Sequence, residues 1–258
     1  MNETAIYREE PAPAGWGPAA YRVWYQRAAG GHRQLVLPDG CADVIVDDRG
    51  RAILVGSATG AQTPLMAPGR GLHGLRLASA GIRAALGVPA AELTDRTLPL
   101  DQVLPGPLAR ALVDALGTGD PLATDHVRHW LAGAEPDPRI AVAARVLWRS
   151  PSRDVAEVAD LVGLSGRQLR RALLADVGLG PKAYQRVGRL HRFLALARAD
   201  GTAGLAELAA RAGYADQPHL SREARALSGL SPSALLDHQL SPAGTPPPAP
   251  VRPAARTG

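Results

Sequence analysis

The chain has 258 residues, 46% hydrophobic and 21% charged, enough for a full core and unlike a disordered chain. Its single cysteine, Cys41, excludes an intramolecular disulfide framework, and no apolar run reaches the roughly 20 residues that a membrane helix needs. The net charge of +5 is unevenly placed: residues 1–136 carry 12 Arg against 14 acids, residues 137–240 carry 15 Arg and Lys against 10 acids, and two further Arg follow. The C-terminal half is therefore the part suited to nucleic acid.

Met1–Glu10 carries acids and no apolar stretch, so it is not read as a secretory signal, and the cytoplasm is the expected setting. Residues 20–78 read as short strands: Tyr21–Arg27, Gln34–Leu37, Ala42–Val46, Ala52–Val55 and Leu72–Leu77. Turn signals such as Pro38-Asp39-Gly40 and Asp48-Arg49-Gly50 separate them, a pattern that predicts a small β-barrel or sandwich. From Gly81 the spacing becomes helical, at Gly81–Gly87, Pro107–Leu116 and Pro121–Ala132. Pro136-Asp137-Pro138 breaks the chain and marks a domain boundary.

Beyond it, helices are predicted at 138–149, 154–162, 165–176, 182–199, 204–212, 216–227 and 231–239, each ended by Gly, Pro or Ser. The fold class is thus α+β: a β-rich domain with trailing helices over 1–136, then an all-α seven-helix domain over 137–240. Residues 241–258, rich in Pro, Ala and Gly, are expected to be a disordered tail.

The helical segment repeats internally. Val155–Ser165 aligns with Leu205–Ala215 at a spacing of 50, matching Ala156 with Ala206, Glu157 with Glu207, Ala159 with Ala209 and Gly163 with Gly213. After one inserted residue, Arg171 matches Arg222, Gly178 matches Gly229 and Pro181 matches Pro232. Each unit reads as helix, Gly-containing turn, helix, which is the helix-turn-helix pattern. Ala159 and Ala209 supply the small side chain that crossing helices need, and Gly163 and Gly213 permit a positive φ. Ser165 and Asp216 are natural N-caps. The joining helix, eighteen residues at about 1.5 Å each, spans roughly 27 Å, a strut suited to two recognition helices about 34 Å apart in successive major grooves.

On Val155–Ser165, Leu169-Arg170-Arg171, Gly178–Tyr184, Leu205–Tyr214, Asp216–Arg222 and Gly229–Pro232, the chain resembles the DNA-binding domain of AraC-type transcription regulators. The resemblance covers about residues 138–239. It implies recognition helices at 165–176 and 216–227. The family pattern has Phe late in each, where Leu173 and Ala224 stand here; the smaller side chain at 224 is expected to loosen the second unit. More loosely, Leu37–Asp43, Val55-Gly56, Gly74–Leu77, Leu86–Pro89 and Leu93–Arg96 resemble the N-terminal domain of one subgroup. That implies a cupin-like sensory or regulatory module and names no ligand. The two-part architecture and the charge split suggest that this module biases DNA binding or RNA polymerase contact, through an unidentified small-molecule effector, dimerisation or both.

Arg167, Arg170 and Arg171 share one helix face, as i, i+3 and i+4. Arg is the usual reader of guanine. In the second unit Gln217, His219, Ser221 and Arg222 are the candidates, with the ordinary solvated helix face as the alternative. Lys182, Arg186 and Arg192 read as structural or phosphate-facing, and Arg189 as bonded internally.

Chemistry is weakly signalled. Some AraC-like proteins take alkyl groups onto a cysteine, but Cys41 has no companion thiols and reads as a buried small hydrophobe. His126 and His129 lack an obvious third ligand, and Asp47-Asp48 beside Gly50 reads as a turn. No catalytic residue, metal or cofactor is expected. The alternatives are a cupin-like metal or small-molecule enzyme fused to a DNA-binding module, and an interaction protein whose helical half docks another protein.

Overall fold

A computed structural model describes residues 6–240. The expected tail at 241–258 lies outside the described residues. The N-terminal half is built on strands β1 (Ile6–Pro11), β2 (Ala20–Arg27), β3 (His32–Arg33), β4 (Ala42–Asp47), β5 (Ala52–Val55), β6 (Leu65–Met66), β7 (Gly71–Leu77) and β8 (Thr97–Pro99). Among the described residues they form a six-stranded antiparallel sheet, in the order β1-β2-β7-β4-β5-β8, and a two-stranded ribbon of β3 and β6.

Alternation sets the two faces of this sheet. Val44, Val46, Leu54, Leu75 and Leu77 are buried on one side, against helices α1 (Ile82–Leu86), α2 (Gly106–Gly117) and α3 (Pro121–Ala132). Asp43, Ile45, Ile53, Val55 and Arg76 point the other way, into a cavity shared with the ribbon. At the β4–β5 turn, Asp47 Oδ1 accepts from the backbone N–H of Arg49 and of Arg51, both at 3.0 Å, and Gly50 takes φ +73°. Asp47 is thus a turn residue, as its place in the sequence predicts.

The helical half comprises α4 (Pro138–Arg149), α5 (Val155–Leu161), α6 (Gly166–Val177), α7 (Pro181–Ala199), α8 (Leu205–Ala212), α9 (Gln217–Ser228) and α10 (Pro232–Leu240). Every predicted helix forms, within about two residues of its expected ends. Helix α7 is the axis of the core: Tyr184, Val187, Leu190, Phe193 and Leu194 are all buried.

The predicted strand Gln34–Leu37 needs correction. It contributes only a single bridge, Val36 to Gln62, because Leu35 and Leu37 turn into the core of the helical half. The two halves therefore share a packed joint. Tyr184 donates its hydroxyl to Ser79 Oγ at 3.0 Å, and its ring closes on Gly40, whose φ of +74° and missing Cβ both require glycine. His191 donates Nε2–H to the Pro38 carbonyl at 2.7 Å, since a carbonyl can only accept. Cys41 is buried beside this joint, its Sγ 3.9 Å from Ser79 Oγ, and burial raises its thiol well above the ordinary range.

Candidate nucleic-acid interface

The turns of the two repeat units share their backbone hydrogen bonds. In the first turn, Leu164 N–H donates to Ala159 O at 2.9 Å and Gly163 N–H to Asp160 O at 3.1 Å. In the second, Tyr214 N–H donates to Ala209 O at 2.9 Å and Gly213 N–H to Ala210 O at 3.0 Å. Gly163 has φ +67° and Gly213 φ +93°, conformations that side chains disfavour. Ala159 and Ala209 are buried, so the helices cross closely at those points.

The second helix of each unit is then started by a cap. Ser165 Oγ accepts from Gln168 N–H at 3.3 Å while Gln168 Oε1 accepts from Ser165 N–H at 2.8 Å, a reciprocal capping box. Asp216 Oδ1 accepts from His219 N–H at 2.6 Å. Leu169, Leu173 and Val177 fix α6 to the core; Leu220, Ala224 and Leu227 do so for α9. Gly178 and Gly229, at φ +83° and +76°, end the two helices.

What faces outward is basic. Arg167, Arg170 and Arg171 on α6, and Gln217 and Arg222 on α9, are exposed, and none of these side chains pairs with another described residue. Most other arginines of this half are engaged. Arg192 donates to the carbonyls of Arg211 and Arg149, and Arg211 pairs with Asp200 and Glu207. Arg225, exposed on α9, joins the outward set without having been a sequence candidate.

His219 and Ser221 sit differently, half-buried. His219 Nδ1 accepts from Ala215 N–H at 3.3 Å, which leaves the proton on Nε2, 3.5 Å from Glu223 Oε1. Its ring meets Tyr214 edge-on at 5.3 Å.

Glu223 is the residue that sequence reasoning missed. It is buried, and it accepts from Arg186 Nε at 3.0 Å and Arg189 Nη2 at 3.1 Å, tying α9 to α7. Arg189 also donates to Pro151 O and lies over the Tyr214 ring, as its expected internal role requires. Burial raises the Tyr214 hydroxyl, with the Glu223 charge adding to it. The signal was available: 220, 223, 224 and 227 form one i, i+3, i+4, i+7 stripe, and Glu223 occupies a core place in it.

Residues 158–238 match the model of a helix-turn-helix domain, and residues 18–99 that of a domain of unknown function, DUF6597. Two curated relatives, from Streptomyces lividans and Streptomyces antibioticus, each carry the name "Putative AraC-like transcription regulator". The first is 34% identical over 118 residues and the second 33% over 120, which is 45% and 46% of this chain. Residues 158–238 of the helical half are thus a helix-turn-helix domain.

The matches span 38% and 39% of the two relatives' lengths. Among solved structures, ToxT from Vibrio cholerae O395 covers 90% of this chain and 97% of its own, at 9% identity and a TM-score of 0.44. ToxT of strain SCE256 with unsaturated fatty acid bound covers 92% and 96%, at 12% identity and a TM-score of 0.39. Among the described residues, no helix is long and apolar enough to cross a membrane, and no group of three or more His, Cys, Asp or Glu is placed to hold a metal ion. The helix-turn-helix domain thus presents two capped helices whose outward arginines are unspent.

Proposed function

We propose that the chain is a sequence-specific, DNA-binding transcription regulator of the AraC type. Helices α6 and α9 enter adjacent major grooves. Arg171 and Arg222, repeat-mates in sequence and both exposed, read guanine edges. Arg167, Arg170, Gln217 and Ser221 supply neighbouring base or phosphate contacts, while His219 holds the start of α9 in shape beside them. The observation that carries this reading is the duplicated turn and cap geometry ending in unpaired arginines, when most other arginines of the helical half are bonded within the protein.

The organisation proposed with it is residues 1–136 as a regulatory domain that senses an effector or dimerises, and residues 137–240 as the DNA-binding domain. RNA polymerase is the second macromolecular partner and the cytoplasm the setting. Selection of bound duplexes from a random pool tests the reading. Two conserved subsites about one helical turn apart are expected. A pool that enriches no sequence, or only one isolated subsite, would overturn it.

A further inference from the structure

The cavity on the open face of the sheet lies apart from the interface described above. It encloses about 340 Å³, within the range of small-molecule sites. Leu65 lines it and is 71% exposed, so the cavity reaches the surface there. Much of its wall is apolar, including Ile45, Ile53, Val55 and Leu72.

Its charge is one-sided. The buried Arg76 guanidinium faces Asp43 at 3.1 Å, Glu9 at 3.4 Å and Asp39 at 3.5 Å. Even with Arg22 also acting on Glu9, the carboxylates of this group outnumber its cations three to two. Arg70, the other cation on the wall, lies 3.7 Å from Asp47. An entering anion would find both cations already matched and Asp39 and Asp43 in its way. Burial raises the carboxyls of Glu9 and Asp43, against the pull of Arg76 on both and of Arg22 on Glu9.

Two aromatic rings complete the wall. Tyr7 and Trp24 stack with centroids 6.5 Å apart, and Trp24 donates Nε1–H to Asp43 Oδ1 at 2.8 Å. The indole lies over Gly74, where any Cβ would come within 1.9 Å of the ring, so glycine is what admits it. Aromatic faces beside carboxylates attract cations, most strongly away from water.

We propose that this cavity binds an organic cation with an apolar body, its charge toward Asp39 and Asp43 and its body against Ile45, Ile53 and Leu72. The assignment names the chemical class of the effector and rests on the regulator reading for its effect on DNA. The route to the helical half is short. Leu35 and Leu37 line the cavity and also pack into the helical core, and Gln239 of α10 lines it while accepting from Arg198 of α7 at 2.9 Å.

Full-length protein is titrated with octylamine, octanol and octanoate, matched in apolar body and different in charge, with calorimetry and tryptophan fluorescence as readouts. Octylamine is expected to bind saturably, about tenfold tighter than octanol, with octanoate weakest. D43N and D39N should each weaken octylamine about fivefold or more and leave octanol unchanged. D39N keeps the oxygen that accepts from Cys41 N–H at 2.8 Å, so it remains informative should D43N fail to fold. Absence of saturable octylamine binding, octanoate binding as tightly as the amine, or unaltered amine binding in D39N would each overturn the proposal. DNA binding by the ligand-free protein is measured in parallel. If it persists while the amine fails, the cation site falls and the regulator reading stands; the opposite pattern removes the regulator and keeps the site.

Discussion

Arg171 and Arg222 occupy matching places in two copies of one device, and neither charge is used inside the protein. Arg171→Ala should cost about 1–3 kcal/mol on the selected operator and less on random duplex, read by gel shift on both. Equal losses on the two would assign Arg171 to the phosphate backbone. Glu223 makes the opposite case, a charge used wholly inside. Glu223→Ala leaves the half-buried Arg189 without its carboxylate, while the Arg186 side chain, 40% exposed, can turn to water. A loss of roughly 2–3 kcal/mol in urea unfolding is expected, and a change under about half a kcal/mol would show that the cluster contributes little. The outward arginines were legible because helical spacing and a repeat place them. Helical spacing also marks Glu223 as a core position, but its partners were not legible, because they come from another helix 34 and 37 residues away and Ala172 stands where the second unit has Glu223.

At the scale of elements, the turns separate backbone from packing costs. A Cβ on Gly163 would meet nothing within 4 Å, so Gly163→Ala should cost only the left-handed conformation, about 1 kcal/mol. On Gly213 a Cβ would lie 2.3 Å from Ser152 Oγ, so Gly213→Ala should cost more. Thermal unfolding of the two variants side by side checks the order, and equal shifts would mean that Ser152 swings aside freely. The helical half was readable because each helix carries its own start and stop: Ser165, Asp216 and the glycines act locally. Strand β1 was not readable. Its Glu9-Glu10-Pro11 run has little strand character, and pairing with β2 across a register from Ile6–Arg27 to Pro11–Arg22 holds it in the sheet. Gln34–Leu37 failed for the converse reason: its strand-like pattern is used to cover helices.

For the whole molecule, the joint between the halves should respond to acid. Burial lowers the proton affinity of His191, outweighing its bond to Pro38 O and the pull of Asp39, while Arg76 and Arg198 act with burial. The unfolded chain, with an ordinary histidine near pH 6.5, then binds the proton more readily than the folded one. Stability is retained above that pH and lost as pH falls below it. Urea unfolding between pH 7 and about 5.5 should show a steeper loss for the native protein than for His191→Gln, which keeps a donor for Pro38; parallel curves would remove the histidine from the account. The N-terminal half also reaches α6 and α9 at their far ends. Thr94 Oγ1 donates to Gly178 O at 3.1 Å, just past α6, and Ala61 N–H donates to Leu227 O at 2.8 Å, within the last turn of α9. Two probes fastened at their bases to one body cannot choose their own separation. Adding a single base pair between the subsites rotates one against the other by about 35°, which such a caliper cannot follow, so tolerance to spacer length should be narrow.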